Sequence, residues 1–266
     1  MNEDIKHFDY LEFIEFADKT EKSNKAKKYN DFNSSETGEA GWTGTKTYNE
    51  AYTYATNGWD AGVKMIESDD KINIDGTVII EDDVVGAYVN VGNFLAGLPN
   101  TMTKFVDETD RNKDDLTIFT NLGYSCGNSL DTATEYCRKL IQEVNKAQSK
   151  YNVRIVGFFS SGQANSTRDV VFIDIKRLDE RFVLNSLAFA FHPSFFRRIW
   201  FKYLETQEYI SWGYGGPSDE STCFRNIKEF AETENLNEYW VIPSLQHNQN
   251  DWDESNIKKI NLTQDK

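Results

Sequence analysis

The sequence predicts an α/β domain, on the evidence of three apolar runs and one amphipathic segment. The runs lie at residues 116–119, 153–159 and 170–175, and a small, polar loop at 121–129 follows the first run. Between the first two runs, apolar residues recur at spacings of three and four, which places one apolar stripe along a helix. Strand, helix and strand in this order predict a parallel pair with a right-handed crossover. We therefore expect a βαβ unit at the centre of the fold, with a ligand site in the loop after its first strand.

Helices are predicted for most of the N-terminal part. Residues 19–33 are polar and lysine-rich, which indicates an exposed linker or a frayed end. Thr47 and Glu50 fit a capping box, which predicts a helix over residues 48–56. An earlier helix is predicted over residues 4–17, with one apolar face made of Tyr10, Phe13, Ile14 and Ala17.

Strand and helix patterns continue on both sides of the central unit. The Asp75-Gly76 pair predicts a β-hairpin over residues 72–80. We divide the chain into an N-terminal elaboration (1–70), an α/β core (71–245) and a polar tail (246–266) that we expect to be loose. The other predicted elements are a strand over 84–91, helices over 183–191 and 220–234, a helix from His192-Pro193 and a strand over 239–242.

Composition limits the class of protein. The chain has 266 residues and an aromatic content of 14%, enough for a large core. It has no apolar run of about twenty residues and no basic-then-apolar start, so we expect neither a membrane span nor a signal peptide. The three cysteines, Cys126, Cys137 and Cys223, lack metal-binding spacing and indicate thiols in a reducing cytoplasm. Cys126 in the polar loop is an alternative nucleophile, although no histidine lies in a recognisable partner motif.

The charge distribution is bipolar. The whole chain carries a formal net charge of −14, which argues against broad binding to duplex nucleic acid or anionic membrane. Residues 150–202 nevertheless contain nine basic and four acidic side chains, a surplus of five positive charges that leaves −19 on the rest of the chain. This pattern is typical of a basic face on an acidic protein, which can hold a polyanion on one side.

The predicted helix that begins at His192-Pro193 carries part of this basic region. One of its faces is apolar and is assigned to the core. The opposite face is expected to be exposed, and a ring among cations is unusual for a plain surface, which favours a binding role. The alternative is a basic patch whose side-chain stems cover apolar area. The residues of this second face are Arg197, Arg198, Phe201 and Lys202.

No motif for catalysis or metal binding stands out. The histidines are scattered at His7, His192 and His247, without the spacing of a zinc site, a nucleophile elbow or a phosphate-binding lysine. The acidic residues between positions 67 and 83 lack the order of a calcium loop and indicate a solvated edge. We therefore expect no enzyme, no cofactor and no bound metal.

The order of elements from residue 115 onward resembles the von Willebrand factor A domain. That family places Asp-x-Ser-x-Ser in the loop after the first strand and binds a divalent cation there. The matching positions are Asn121, Gly123 and Ser125, so an amide replaces the carboxylate and a glycine replaces a hydroxyl ligand. A hard cation prefers charged or multiple oxygens. The resemblance implies a Rossmann-like central sheet but not the metal site. The helical and β-hairpin patterns of the earlier residues add an N-terminal elaboration to this sheet.

Several motifs also resemble an uncharacterised family of bacteriophage proteins. The chain is further similar to single-stranded DNA-binding cofactors of some tailed phages, which recruit a phage RNA polymerase to DNA. That similarity implies a transcription cofactor in the cytoplasm of an infected host cell, and it assigns no residues. The motifs that carry the family resemblance are residues 41–46, 58–59, 94–102 and 121–125, and later His192-Pro193 and Arg197-Arg198.

Three functions remain open at this point. The leading prediction is a non-enzymatic binder of single-stranded DNA, because such strands are held by cationic grooves and aromatic platforms. The second is a protein-interaction module on the same scaffold, with a residual cation site near Asn121 and Ser125. The third is a virion structural protein whose rings are buried between subunits. For the first function, the expected contacts are Arg154, Arg168, Lys176, Arg177, Arg181, Arg197, Arg198, Phe201, Lys202, Trp212, Tyr214 and Tyr124.

Overall fold

The computed structural model describes residues 6–28, 34–37, 39–67, 78–83, 88–89, 94–97, 99, 102–107, 113–124, 127–160, 170–178, 180, 184–207, 220–243 and 257–261. The described strands are β1 (Lys6–Asp9), β2 (Val78–Asp83), β3 (Tyr88–Val89), β4 (Met102–Asp107), β5 (Asp115–Asn121), β6 (Asn152–Ser160), β7 (Val170–Lys176), β8 (Glu238–Ile242) and β9 (Lys258–Asn261). The described helices are α1 (Tyr10–Lys19), α2 (Asn24–Lys28), α3 (Ser34–Thr37), α4 (Ala40–Thr43), α5 (Tyr48–Asn57), α6 (Asp60–Glu67), α7 (Leu130–Gln148), α8 (Leu184–Ala190), a π-helix (Phe195–Trp200), α9 (Phe201–Glu205) and α10 (Glu220–Thr233).

The larger of two sheets has six strands in the order β1-β7-β6-β5-β8-β9. Three of its five pairings are parallel, namely β1 with β7, β5 with β6, and β5 with β8. The pairs β6–β7 and β8–β9 are antiparallel. The protein is therefore mixed α/β, as predicted, and the central unit β5–α7–β6 is confirmed as a parallel pair joined by a helix.

Helices cover both faces of the larger sheet. On one face, α1, α7 and α8 pack with residues such as Leu116 and Ile118 of β5. On the other face, α10 packs with residues such as Phe119 of β5 and Phe158 of β6. Successive side chains of a strand point to opposite faces, so β5 contributes to both cores. The helix after β5 and the helix before β8 thus lie on opposite faces, which makes the carboxyl end of β5 the switch point of the sheet.

The predicted helix over residues 4–17 was wrong for its first part. Lys6–Asp9 is β1, which pairs parallel with β7, and the helix begins only at Tyr10. The four residues of β1, Lys-His-Phe-Asp, include a single apolar side chain, so their sequence shows no alternation of apolar and polar residues. The predicted apolar face is confirmed, because its four members, Tyr10, Phe13, Ile14 and Ala17, are all buried.

Regular structure is present in two segments for which none was predicted, the exposed linker and the loose tail. Residues 19–33 contain the helix α2, whose Ala26 is only 3% exposed. Just before this helix, the Ser23 N–H donates a 2.9 Å hydrogen bond to the Glu205 carbonyl. Within the predicted polar tail, β9 extends the sheet next to β8. A polar composition does not show that a segment has a backbone partner elsewhere in the chain. The sequence therefore did not predict α2 or β9.

The predicted start of α5 is confirmed. Thr47 Oγ1 accepts a 3.1 Å hydrogen bond from the Glu50 N–H, and Gly58, with φ of 90°, ends the helix. The return bond of the capping box reaches one residue further back than expected, because the Glu50 carboxylate accepts from the Lys46 N–H at 2.7 Å.

The smaller sheet is antiparallel and has the order β2-β4-β3. Met102, the first residue of β4, pairs with Asp83 on one side and with Val89 on the other. The connection from β3 to β4, which includes residues 94–97, therefore leaves this end of the smaller sheet. The predicted hairpin over residues 72–80 lies mostly outside the described residues.

Candidate functional site

The two adjacent arginines of the predicted basic face, Arg197 and Arg198, lie in the interior on the π-helix. Both side chains are 0% exposed. The Arg197 guanidinium lies over the Trp42 ring, 4.4 Å from its centroid, and donates hydrogen bonds to the carbonyls of Trp42 and, at 3.1 Å, Asn128. The expectation that this pair faces solvent was wrong.

Arg198 is held by main-chain oxygens from the N-terminal part of the chain. Its Nη1 donates to the Ser35 carbonyl at 2.9 Å, and its Nη2 donates to the Thr45 carbonyl at 2.9 Å and to Thr43 Oγ1 at 3.0 Å. Burial lowers the pKa of the Arg198 guanidinium, because removal from water disfavours its charged form. Arg198 therefore joins two stretches of the N-terminal segment to the π-helix.

The N-terminal segment covers the helix face that was expected to be exposed. Glu205 is 0% exposed, accepts a 2.9 Å hydrogen bond from Ser35 Oγ, and lies 3.1 Å from Lys22 Nζ. A π-helix holds more residues per turn than an α-helix, so its side chains do not keep the faces that a 3.6-residue period predicts. Charged side chains of both signs thus anchor this segment to residues 195–205.

The aromatic side chains predicted on the same surface also belong to the core. Phe201 is 4% exposed and contacts the rings of Trp42 and Phe196. Tyr124 is 3% exposed, and its hydroxyl donates to the Phe191 carbonyl. Burial raises the pKa of Tyr124. Neither ring is placed to stack on a nucleotide base.

Lys176 and Lys202, two further predicted contacts, are largely enclosed. Lys176 is 7% exposed, and its Nζ donates a 2.7 Å hydrogen bond to the Val153 carbonyl. The Lys202 side chain is 15% exposed and lies 3.3 Å from the Glu36 carboxylate. Its Nζ also lies over the Tyr48 ring, 5.3 Å from the centroid. Both cations serve local contacts in the fold.

Arg154 belongs to a polar network that joins β1, β6, β7 and Glu234, the residue directly after α10. Asp174 accepts hydrogen bonds from Arg154 Nε at 2.8 Å and from His7 Nε2 at 2.9 Å, and its side chain is only 4% exposed. Arg154 also donates to Glu234 at 3.1 Å. Burial by itself raises the pKa of Asp174, but the hydrogen bonds from His7 and Arg154 outweigh it and lower that pKa. Sequence reasoning missed this network because only the fold brings its members together.

Arg177 is the most exposed of the predicted contacts that the structure describes. Its side chain is 48% exposed and forms an ion pair with Asp9. Four predicted contacts lie outside the described residues, so their role stays a prediction: Arg168, Arg181, Trp212 and Tyr214.

The loop after β5, where a ligand site was predicted, is fixed by hydrogen bonds of its own. Asn121 Oδ1 accepts a 2.9 Å bond from the Gly123 N–H, and Ser129 Oγ accepts a 3.1 Å bond from the Thr132 N–H at the start of α7. Residues 125–126 lie outside the described part. Among the described residues, no group of three His, Cys, Asp or Glu side chains is placed to hold a metal ion. The residual cation site near Asn121 stays a prediction.

Two large apolar side chains are exposed together in the turn at residues 94–97, which we call the apolar turn. Phe94 is 64% exposed and Leu95 is 78% exposed. The Gly97 N–H donates a 3.2 Å hydrogen bond to the Phe94 carbonyl, and Gly97 has a φ of 68°, which favours glycine. Among the described residues, the other exposed large hydrophobic side chains are Leu11 and Phe16. A Phe-Leu pair beside Gly and Pro was the sequence signal for this feature, but it was used only for the family resemblance.

Two exposed lysines that sequence analysis did not single out lie on β9. Lys258 Nζ is 4.0 Å from the centroid of the Phe224 ring, and Lys259 Nζ is 4.2 Å from that of Trp240. Lysines on an edge strand oppose the addition of another strand, which gives them a structural role. Cations beside aromatic rings are also a feature of surfaces that hold single-stranded nucleic acid.

Comparisons with known proteins place the chain in a family without assigning it an activity. A family model described as a domain of unknown function (DUF7192) matches residues 3–264. Neither a curated protein nor a solved structure matches the chain. Among the described residues, no helix is both long and apolar enough to cross a membrane.

Proposed function

The chain belongs to the DUF7192 family, whose model covers nearly all of it, and on that premise we propose that it is a non-enzymatic protein-interaction module that binds a protein partner through the apolar turn. The observation that carries the proposal is the joint exposure of Phe94 and Leu95, at 64% and 78%. Single exposed apolar side chains are ordinary, whereas adjacent large ones on a turn are typical of contact sites.

Two such side chains are enough to dominate a protein contact. Full burial of Phe or Leu contributes about 1.5–3 kcal/mol each, and a few anchors supply most of the energy of an interface. The hydrogen bond from Gly97 to Phe94 closes the turn before binding, so less conformational entropy is lost when a partner binds. The turn is therefore a preformed contact site.

The scaffold that we propose is a Rossmann-like sheet related to the von Willebrand factor A domain. Two observations support this proposal. The strand β5 lies between two parallel neighbours, and helices cover both faces of the sheet. The amide of Asn121 and the missing side chain of Gly123 provide no charged oxygen for a cation. Function through a direct contact therefore fits these residues better than function through a metal.

The test uses a double variant, Phe94→Ser with Leu95→Ser, and Leu11→Ser as the matched control. Leu11 is 54% exposed on α1, so the control also removes an exposed leucine. A candidate partner is a protein that cross-links, in an extract of the source cells, to the wild type and the control but not to the double variant. With the purified partner, we expect the double variant to raise Kd at least about tenfold. Equal Kd values for all three proteins would contradict the proposal.

Single-stranded DNA binding is the second candidate, favoured by the two lysine–ring contacts of β9. Lys258 and Lys259 are exposed, and each lies over an aromatic ring. Cations and stacking platforms are the two means by which proteins hold single strands. The two lysines supply the cations, and Phe224, which is only partly buried, supplies a ring, whereas Trp240 is buried. In this alternative, the protein that the apolar turn binds is one that the chain recruits to DNA, such as a phage RNA polymerase.

The test of DNA binding is a titration of labelled oligo-dT and a matched duplex, followed by fluorescence anisotropy at two salt concentrations. We expect the double variant Lys258→Ala with Lys259→Ala to weaken binding of all sequences, and the affinity to fall as salt rises. Lys228→Ala is the control, because Lys228 is 62% exposed on α10 and lies 3.9 Å from Glu232. A flat titration with oligo-dT at low salt would exclude this candidate and leave the protein contact untouched.

A further inference from the structure

We infer that the surface which receives the apolar turn is itself apolar and is bordered by lysine or arginine side chains. This inference rests on the proposed function, because it specifies the chemistry of the protein that the turn binds. It follows from where the smaller sheet places acidic residues relative to the turn.

The smaller sheet places an acidic stretch at the end from which the connection to the apolar turn leaves. Asp83, the last residue of β2, and Val89 of β3 both pair with Met102 at the start of β4. The chain leaves this end of the sheet toward the turn. β2 itself ends in the sequence Glu-Asp-Asp, at residues 81–83. Three consecutive acidic residues therefore lie on the strand that shares this end of the sheet.

The acidic stretch and the turn are close enough for one partner to contact both. Neighbouring strands lie about 4.8 Å apart, so Asp83 and Val89, on either side of β4, are about 10 Å apart. The five residues from Val89 to Phe94 span at most about 17 Å. An interface of about 800 Å² per partner is about 30 Å across. The turn therefore lies at most about 27 Å from Asp83, which is within the breadth of one such interface.

The negative charge of this protein favours a partner with a basic border over two other apolar surfaces, a second copy of the chain and an anionic membrane. The whole chain carries a formal net charge of −14. A second copy would bring the same acidic stretch into the contact, and like charges across an interface oppose binding. An anionic membrane repels acidic residues in the same way. A surface edged by lysine or arginine instead gains attraction and a faster association.

The experiment uses two synthetic amphipathic helical peptides as probes. One has leucine on one face and lysine on the other, and the second has glutamate in place of each lysine. We expect the full-length protein to bind the lysine peptide with an affinity that falls as salt rises, and to bind the glutamate peptide at least about fivefold more weakly. Equal binding of both peptides would overturn the inference while leaving the protein-interaction proposal standing.

Variants of the turn separate the apolar contribution from general attraction to an acidic protein. We expect Phe94→Ser with Leu95→Ser to raise Kd for the lysine peptide at least about fivefold, and Leu11→Ser to change it less than about twofold. If the peptide binds the double variant as tightly as the wild type, the turn is not the contact, and both the inference and the proposed function fail.

Variants of the acidic stretch test the charged border itself. We expect Asp82→Asn with Asp83→Asn to raise Kd for the lysine peptide about threefold, from the loss of two attractive charges. Glu229→Gln with Glu232→Gln removes two charges from the exposed side of α10 and is the matched control, with less than about twofold change. Equal effects of the two pairs would overturn the inference and leave the turn as the contact.

Two further measurements decide between a protein partner and the other occupants. In light scattering over a range of concentrations, a dimer that the Phe94→Ser and Leu95→Ser variant abolishes would identify a second copy and overturn the inference. In sedimentation with vesicles of phosphatidylglycerol, binding that the same variant abolishes would identify a lipid surface and overturn both proposals. We expect a monomer and no vesicle binding.

Discussion

The guanidinium of Arg198 donates a 2.9 Å hydrogen bond to the main-chain carbonyl of Ser35, a residue 163 positions earlier in the chain. The same guanidinium reaches the Thr45 carbonyl, also at 2.9 Å. The helical pattern assigned Arg198 to a solvent-facing surface. In the structure, Arg198 instead binds two parts of the N-terminal segment. A binding function therefore rests on residues other than Arg198, and among the described residues the apolar turn exposes the two most accessible large apolar side chains.

Replacement of Arg198 by lysine is expected to lower the free energy of unfolding by about 3 kcal/mol. A lysine ammonium cannot reproduce the planar fork that reaches Ser35 and Thr45 together, and a buried charge without its partners is strongly destabilising. Arg177→Lys is the control, because its ion pair with Asp9 is exposed, and the expected loss is below about 1 kcal/mol. Urea unfolding measures both. Equal losses in the two variants would show that the buried hydrogen bonds of Arg198 stabilise the fold no more than the exposed ion pair of Arg177.

Two nearby glycines should respond in opposite ways to alanine. Gly44 has a φ of 86°, and a Cβ there would lie 2.5 Å from His192 Cε1 and 2.7 Å from Ser194 Oγ. We expect Gly44→Ala to lower the free energy of unfolding by about 2–4 kcal/mol. A Cβ on Gly41 meets nothing within 4 Å, so Gly41→Ala should be neutral or slightly stabilising in α4. Thermal unfolding that gives both variants the same Tm would contradict this difference.

The central part of the fold was predictable because its signals are local. The helix α7 shows its apolar stripe within its own 19 residues, and β5 and β6 are each built around a short, mostly apolar run. The strands β1 and β9 have four residues each, and their identity depends on backbone partners far along the chain. No local pattern encodes such a pairing, so these two strands were missed.

The candidate site was predictable only in part, for a similar reason. A helical pattern marks Arg197 and Arg198 as polar, but it does not show that distant main-chain carbonyls bind them, such as those of Ser35 and Thr45 for Arg198 and that of Trp42 for Arg197. The apolar turn lies in a connection between strands, where periodicity carries no information. His7 and Asp174 meet because β1 pairs with β7, and no sequence signal predicted that pairing.

Asp174→Asn is expected to lower the free energy of unfolding by about 3 kcal/mol, because it leaves the guanidinium of Arg154 without its buried partner. Asp9→Asn removes an exposed ion pair with Arg177, and the expected loss is below about 1 kcal/mol. Urea unfolding compares the two variants at neutral pH. Equal losses would show that the buried pair with Arg154 contributes no more than an exposed one.

The contribution of Asp174 also has a defined pH dependence. Its folded pKa is lower than the unfolded value of about 3.9, so the carboxylate stabilises the fold above that pH. The stabilisation is lost as pH falls through the folded pKa. The difference between wild type and Asp174→Asn should therefore shrink below about pH 4. A difference that stays constant down to that range would contradict the lowered pKa.

Mild acid is expected to destabilise the fold through His192. Its ring is 4% exposed and lies 4.3 Å from the Trp59 ring, centroid to centroid, and its Nδ1 accepts a 3.2 Å hydrogen bond from the Ser194 N–H. Burial, and then the charge of Arg197, lower the pKa of His192 to about 3. In the unfolded chain the value is about 6.5, so between these two pKa values only the unfolded state binds the proton. Stability contributed by the neutral ring is therefore lost as pH falls below about 6.5.

His192→Gln should remove this contribution to the pH dependence, because glutamine does not titrate. Between pH 6 and pH 5, the wild type is expected to lose about 1 kcal/mol more of its free energy of unfolding than the variant loses. Urea unfolding at both pH values measures the two losses, so a lower starting stability of the variant does not affect the comparison. Equal losses in the two proteins would mean that the buried His192 takes up its proton in the folded state as readily as in the unfolded chain. In that case the burial of the ring between Trp59 and Ser194 would not lower the pKa of His192.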